Sequence, residues 1–157
     1  MSLALPGPVA VMGAGSVGCY VGGCLEAAGA QVHFIGRPRV MGALRSHGLT
    51  LTDLHGSRTR LEAAQLHLHD APQDLAAAQS PALVLLCVKS GGTAEAAAAL
   101  AGQVRPGTPV LSLQNGVANV QAAELLAPSL RWLPGMVPFN VAELGPGQYH
   151  RGTMGQL

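Results

Sequence analysis

Charge is scarce in this sequence. Asp, Glu, Lys and Arg make up 11% of its 157 residues, against about a quarter in ordinary soluble domains. The formal net charge is only +1, which excludes the strongly basic balance of a nucleic-acid or membrane-surface binder. Aromatic residues are scarcer still, at 3%. Trp132, Tyr20 and Tyr149 are too scattered to form a base-stacking platform. There are three cysteines, Cys19, Cys24 and Cys87. An odd count without metal spacing excludes a disulfide framework and points to reduced, buried thiols in a cytosolic protein. No apolar run reaches the ~18 residues that a bilayer span requires. The apolar N-terminus lacks the basic flank of a signal peptide. The expected setting is therefore cytoplasmic, with neither membrane nor nucleic acid as partner. The shortage of charge has two readings: an alanine-rich sequence, or a surface that is normally covered.

Apolar residues are plentiful, at 48%, and 157 residues suffice for one domain with a real core. The 21 glycines and 11 prolines amount to about a fifth of the chain, below the roughly 25–30% of low-complexity sequence. They fall between apolar runs, so the chain reads as folded throughout.

One stretch carries chemistry. Val9-Ala-Val-Met runs into Gly13-Ala14-Gly15-Ser16-Val17-Gly18, a strand feeding Gly-x-Gly-x-x-Gly at the start of a helix. In such a loop the first glycine permits the tight turn and the second lets the backbone approach a pyrophosphate. The third lets the helix pack closely on the strand. The phosphates then meet free N–H groups at the positive end of the helix. A second apolar strand, Gln31–Ile35, completes the expected context. Sites that prefer NAD place an Asp or Glu about 20 residues on, to accept from the ribose 2′-OH. Here no acidic residue lies between Glu26 and Asp53, and the second strand ends in Ile35-Gly36-Arg37-Pro38-Arg39. A guanidinium binds a 2′-phosphate with paired, charge-assisted hydrogen bonds where a carboxylate would repel it. NADP(H) is the expected cofactor. Arg37 is the first candidate, because it follows the strand directly; Arg39 and Arg45 stand behind it.

Strand-like and helix-like segments alternate along the rest. Helices are expected over Ser16–Ala28, closed by Gly29, and over Val40–His47, Ala71–Gln79, Thr93–Ala101 and Val117–Leu126. Strands are expected over Ala82–Val88, a continuous apolar run suited to a strand buried on both faces, and over Thr108–Leu113. Leu49–Thr52 and Thr59–Leu68 alternate apolar and polar residues and read as a hairpin about His55-Gly56-Ser57. His67 and His69 share one strand face but lack a third ligand, so a solvated hairpin face is expected and no metal site. Arg131–Leu157 reads as antiparallel edge strands about a turn at Gly145-Pro146-Gly147. Met154–Leu157 looks like the start of a further strand rather than a natural domain end. The fold class is α/β: a doubly wound, mostly parallel sheet of the Rossmann type, with antiparallel edge strands near the C-terminus. Ligands of such sheets bind at the carboxyl ends of the strands, where the strand order reverses. That directs attention to the glycine loop, Arg37, Lys89-Ser90 and Gln114-Asn115-Gly116. Lys89 ends a buried run, a poor place for a free ammonium without an anion or polar cluster; the plain alternative is that it reaches solvent. Asn115 is a short polar side chain where the backbone can approach a ligand, or else a turn residue in a left-handed conformation.

Gly13-Ala-Gly-Ser-Val-Gly18, Leu86-Cys-Val-Lys89, Leu113-Gln-Asn115-Gly116-Val117 and Gly145-Pro-Gly147 together resemble ketopantoate reductase (2-dehydropantoate 2-reductase) over essentially the whole chain. The Val-Lys and Gln-Asn-Gly elements at consecutive strand ends are the discriminating ones. The resemblance implies an NADPH-dependent oxidoreductase of pantothenate biosynthesis that reduces 2-dehydropantoate, a small 2-oxo acid, to pantoate. It implies that Gly13–Gly18 hold the diphosphate and that Arg37 meets the 2′-phosphate. Lys89 would stand beside the cofactor towards the substrate. Asn115 would contact the nicotinamide ribose and the substrate, and the backbone near Val141 would pass close to the nicotinamide. It further implies a second, helical domain that supplies the general-acid lysine, and a homodimer for the full-length protein. That domain is absent from this chain, which would be the NADP-binding domain over 1–157, with no catalytic residue and no turnover of its own. Two rivals share the opening motif: another two-domain dehydrogenase of opine or 6-phosphogluconate type, and a non-catalytic dinucleotide-binding sensor.

Overall fold

The run Val9-Ala-Val-Met has no polar side chain, and it forms the middle of the molecule. In the computed structural model, which describes residues 5–77 and 80–154, β1 (Val9–Met12) is buried along its whole length. It pairs in parallel with β2 (Val32–Ile35) on one side and β6 (Leu83–Leu86) on the other. The sheet continues through β5 (His67–His69) beyond β2, and through β7 (Pro109–Ser112) and β8 (Arg131–Pro134) beyond β6. Its order is β5-β2-β1-β6-β7-β8, all parallel. From β1 the chain first builds outward in one direction, then returns to β6 and builds in the other, so the order reverses at β1/β6. This is the doubly wound arrangement expected.

Alternation along β1 sends its side chains into two cores. Val9 and Val11 join Val32 and Phe34 under α1 (Ser16–Ala27). Ala10 and Met12 join Ile35, Val84 and Leu86 under α3 (Thr93–Gln103) and α4 (Ala118–Leu126). The remaining helix, α2 (Pro38–His47), follows β2.

A second sheet, of order β4-β3-β10-β9, holds β3 (Leu49–Asp53), β4 (Arg58–Leu61), β9 (Val141–Gly145) and β10 (Gln148–Arg151). It lies on the far side of α1. A Cβ on Gly22 would meet the Phe34 ring at 2.6 Å, while one on Gly23 would meet Leu51 at 2.8 Å and Leu49 at 2.9 Å. The helix is thus pressed between two sheets, and its sequence carries one charge, Glu26. Part of the charge shortage is therefore a covered helix.

Four expectations change. Thr59–Leu68 is not one strand. Glu62 and Gln65 form reciprocal hydrogen bonds about the short turn Ala63–Gln65, which ends β4 and sends β5 across to the main sheet, parallel to β2. The antiparallel pair β9–β10 turns at Gly145–Gly147, but it joins β3–β4 in the second sheet instead of extending the first. Arg131–Pro134 is parallel to β7, because α4 supplies the crossover that a parallel neighbour needs. The helix expected over Ala71–Gln79 is a 3₁₀ segment over Pro72–Ala77. Its last two residues, the apolar start at residues 1–4 and all but the first residue of the Met154–Leu157 strand lie outside the described residues.

Candidate functional site

The carboxyl ends of β2, β1, β6 and β7 form one continuous rim. Gly13 and Ala14 donate their N–H groups to Ile35 O at 3.0 and 2.9 Å, which ties the glycine loop to the end of β2. The three glycines differ in what surrounds them. Gly13 has φ +96, and a Cβ there would lie 2.6 Å from Val88 N, so only glycine allows the turn beside β6. A Cβ on Gly18 would lie 2.7 Å from Gly13 O and 2.9 Å from Val11, which is the close approach of helix to strand. Gly15 has nothing within 4 Å of its Cβ direction and is exposed. The first helical hydrogen bond runs from Cys19 N to Gly15 O at 2.9 Å, and no side chain caps α1. The first-turn amides of Ser16, Val17 and Gly18 therefore have no helical acceptor and stand beside the open face of Gly15. That cradle is of the kind a pyrophosphate requires.

Gly36 brings the next element in. A Cβ there would lie 2.9 Å from Met41 Cε and 3.1 Å from Ala14 Cβ, so β2 ends hard against the loop and Arg37 emerges beside it. The three arginines separate cleanly. Arg39 pairs with Glu143 at 3.4 Å and Arg45 with Asp70 at 3.0 Å. Arg37 is exposed and makes no side-chain hydrogen bond or ion pair among the described residues.

Lys89, the one lysine of the sequence, follows β6 by three residues and is exposed. The argument that a buried strand end leaves its ammonium in need of an anion therefore falls. What supports Lys89 is place alone: Gly13 packs on Cys87 and Val88, the residues just before it. Asn115 is also exposed, but it does not take a left-handed conformation. Gly116 does, at φ +91, and no other residue type has positive φ among the described residues. The Asn115 side chain has no hydrogen-bond partner among the described residues.

A network that sequence reading did not foresee joins these loops. Gln114, 7% exposed, donates from Nε2 to Val88 O at 2.9 Å and to Thr93 Oγ1 at 2.7 Å. It accepts from Ser112 Oγ at 3.0 Å. Thr93 Oγ1 donates to Asn119 Oδ1 at 3.2 Å. Asn119 Nδ2 donates to Ser90 Oγ at 3.2 Å and to Asn115 O at 2.8 Å. Beside it a cleft of about 210 Å3 opens between the ends of β7 and β8, lined by Gln114, Asn115, Gly116 and Val117 on one side and Pro134, Gly135 and Met136 on the other. Val141 opens β9 opposite Arg151 and packs against the first core.

Burial pushes the thiols of Cys19 and Cys87 up to about 12, so neither is an ionised nucleophile beside the loop. Cys24 is exposed, contrary to the expectation of three buried thiols. His67 and His69 do not lie on a solvated hairpin. They flank His33 on β2, with His33 Nδ1 and His69 Nε2 2.8 Å apart. No group of three or more His, Cys, Asp or Glu suited to hold a metal occurs among the described residues. Among them, too, no helix is long and apolar enough to cross a membrane.

The sequence model described as ketopantoate reductase PanE/ApbA matches residues 9–157. The chain belongs to the ketopantoate reductase family. The 2-dehydropantoate 2-reductase of Halobacterium salinarum is 33% identical over 140 residues, covering 88% of this chain and 44% of that protein. The crystal structure of a PanE/ApbA family ketopantoate reductase from Ralstonia eutropha JMP134 superposes with a TM-score of 0.81 at 35% identity, over 92% of this chain and 46% of the other. A D-mandelate dehydrogenase solved with NADH and anilino(oxo)acetate shares the fold alone, with a TM-score of 0.74 at 21% identity over 92% of this chain and 45% of that one. The chain spans less than half the length of the curated relatives it matches. That family of oxidoreductases binds nicotinamide dinucleotides, and the opine and 6-phosphogluconate readings give way to it.

Proposed function

We propose that this chain is the NADP(H)-binding domain of a 2-dehydropantoate 2-reductase. Family membership supports the reaction class, and one observation carries the cofactor. Arg37 is the unpaired arginine at the end of β2, beside the open face of Gly15, while Arg39 and Arg45 are each engaged by an acid. The residues present fit the group. Gly15 leaves open the space that a Cβ would fill, Ser16 to Gly18 offer amides for the diphosphate, and Arg37 offers a fork for the 2′-phosphate. When bound, the reduced nicotinamide supplies a hydride to the ketone carbon of a small 2-oxo acid.

The chain's own part is to bind and orient. Gly13, Ala14, Gly15, Ser16, Val17 and Gly18 hold the diphosphate by backbone alone. Lys89 and Asn115 stand at the strand ends nearest β1/β6 and serve both the nicotinamide ribose and the substrate. Lys89 attracts the 2-oxo acid's carboxylate, and the free Asn115 carboxamide offers a donor and an acceptor. The proton for the developing alkoxide comes from a following helical domain, by the resemblance that assigns a lysine there. Cytoplasmic residence and a homodimer of the full-length protein belong to the same proposal.

Titration of the chain with NADPH and NADH tests it. NADPH is expected to bind roughly ten- to hundredfold more tightly, the worth of a charge-assisted, two-pronged contact. Arg37→Ala is expected to abolish the difference with little effect on NADH. Equal affinities in the parent chain, or a preference that survives Arg37→Ala, would remove the NADP assignment.

A further inference from the structure

Every donor of two carboxamides is spent on holding two loops together. Gln114 uses both Nε2 hydrogens, on Val88 O and Thr93 Oγ1. The Thr93 hydroxyl, having received one, gives its own hydrogen to Asn119 Oδ1. Asn119 uses both Nδ2 hydrogens, on Ser90 Oγ and Asn115 O. The direction of this chain is fixed at its far end: a reversed Asn119 amide would set Oδ1 against the Asn115 carbonyl, acceptor against acceptor. It is fixed at its near end as well, because Val88 O can only accept. Thr93 and Gln114 are 4% and 7% exposed, so water cannot easily stand in for a lost partner.

The relay runs from the segment after β6 to the segment after β7. It clamps Ser90, next to Lys89, and the main chain of Asn115, and leaves the Asn115 side chain free. None of its bonds reaches Gly15, Ser16 or Arg37. We propose that Thr93 and Asn119 are positioning residues that set the spacing of the Lys89-Ser90 and Asn115 segments for the nicotinamide-riboside end of the dinucleotide, independently of the adenosine end. The inference rests on the proposed dinucleotide reading and adds to it the division of the site into two separately built halves.

The test compares a whole dinucleotide with half of one. NADPH binding is followed by its nicotinamide emission, and adenosine 2′,5′-bisphosphate binding by competition or calorimetry, with the thermal midpoint recorded for each variant. Thr93→Val is isosteric and cannot relay the hydrogen bond. Asn119→Asp keeps shape but sets an oxygen against Asn115 O; Asn119→Ala, at a half-exposed site, is the fallback where burial makes Thr93→Val unstable. Thr93→Val is expected to weaken NADPH about tenfold, the worth of a lost buried hydrogen bond, and the Asn119 variants by about threefold or more at their half-exposed site, while the bisphosphate binds as in the parent. Thr93→Ser is expected to restore NADPH binding. Unchanged NADPH affinity overturns the inference. So does an equal loss for both ligands together with a lowered thermal midpoint, which would make the relay mere scaffold. A parent chain that binds neither ligand overturns the dinucleotide reading itself, a result distinct from the other two.

Discussion

Gly13 and Gly15 stand two residues apart and are glycine for different reasons, which makes them separable by substitution. At Gly13 both conformation and space forbid a side chain: φ is +96, and a Cβ would lie 2.6 Å from Val88 N and Val88 Cγ1. The backbone atom cannot give way. Gly13→Ala should cost roughly 2–4 kcal/mol, from the left-handed penalty and the overlap together. At Gly15 the backbone is extended, with φ −89 and ψ −154, and a Cβ would meet nothing. Gly15→Ala should therefore cost within about 1 kcal/mol, from a poorer helix cap. Its methyl would nonetheless occupy the space assigned to the pyrophosphate, so NADPH affinity should fall by about tenfold or more, some 1.4 kcal/mol. Chemical denaturation and NADPH titration on the two variants check the pair. A Gly15→Ala chain that binds NADPH like the parent would take the phosphate away from this loop.

At the scale of elements, the weakest-built strand of the main sheet is β5, three residues long and held at the edge against β2. Its attachment relies on imidazoles. His33 and His69 share a hydrogen bond, which needs one ring to be a neutral acceptor. The His33 ring also lies 4.8 Å from that of His67 and 5.1 Å from that of His69, centre to centre. Burial first, then the charges of His67 and His69, hold His33 down at about 4. Burial also lowers His69, with Asp74 and Asp70 opposing and His67 and Arg45 adding; Glu26 faces His67 from α1. An unfolded imidazole titrates near 6.5, so as pH falls the unfolded chain takes up the proton first. The stability tied to neutral His33 is complete above about 6.5 and is lost as pH falls towards about 4, roughly 1–2 kcal/mol of it between pH 7 and 5. Denaturation midpoints between pH 7 and 5 should show this slope, and His33→Leu should flatten it. A slope unchanged by His33→Leu would place the acid sensitivity elsewhere.

Over the whole molecule, what could be read from the chain divides by range. The strand segments β1, β2, β6 and β7, the glycine turn and the place of Arg37 after β2 were legible because each is marked by neighbours a few residues away, whereas β1 pairs with β6 across more than seventy positions. Lys89 and Asn115 were found as residues that follow strands. Thr93 and Asn119 were not, since a polar residue on a helix reads as solvated and their partnership spans 26 positions. The crossing of β5 to the main sheet was hidden too, because alternation over Thr59–Leu68 suits one long strand as well as two short ones. The same long-range view bears on turnover. Reduction of a ketone needs a proton donor at the carbonyl, with an affinity near the working pH. The Asn115 rim offers none. Cys87 and Cys19 are pushed up to about 12 by burial, and burial also holds the Tyr149 hydroxyl far above its usual range. The imidazoles are elsewhere: His33, His67 and His69 at the β2–β5 edge, His47 at the end of α2, His55 in the turn after β3, and His150 engaged with Thr52 at 2.8 Å. Lys89 carries the right charge, but it is exposed and is already assigned to hold an anion. The 157-residue chain should therefore bind NADPH and yet leave its absorbance unchanged over hours with 2-dehydropantoate. Sustained oxidation that requires the substrate and disappears in Lys89→Met would make Lys89 the acid, and the chain a complete reductase.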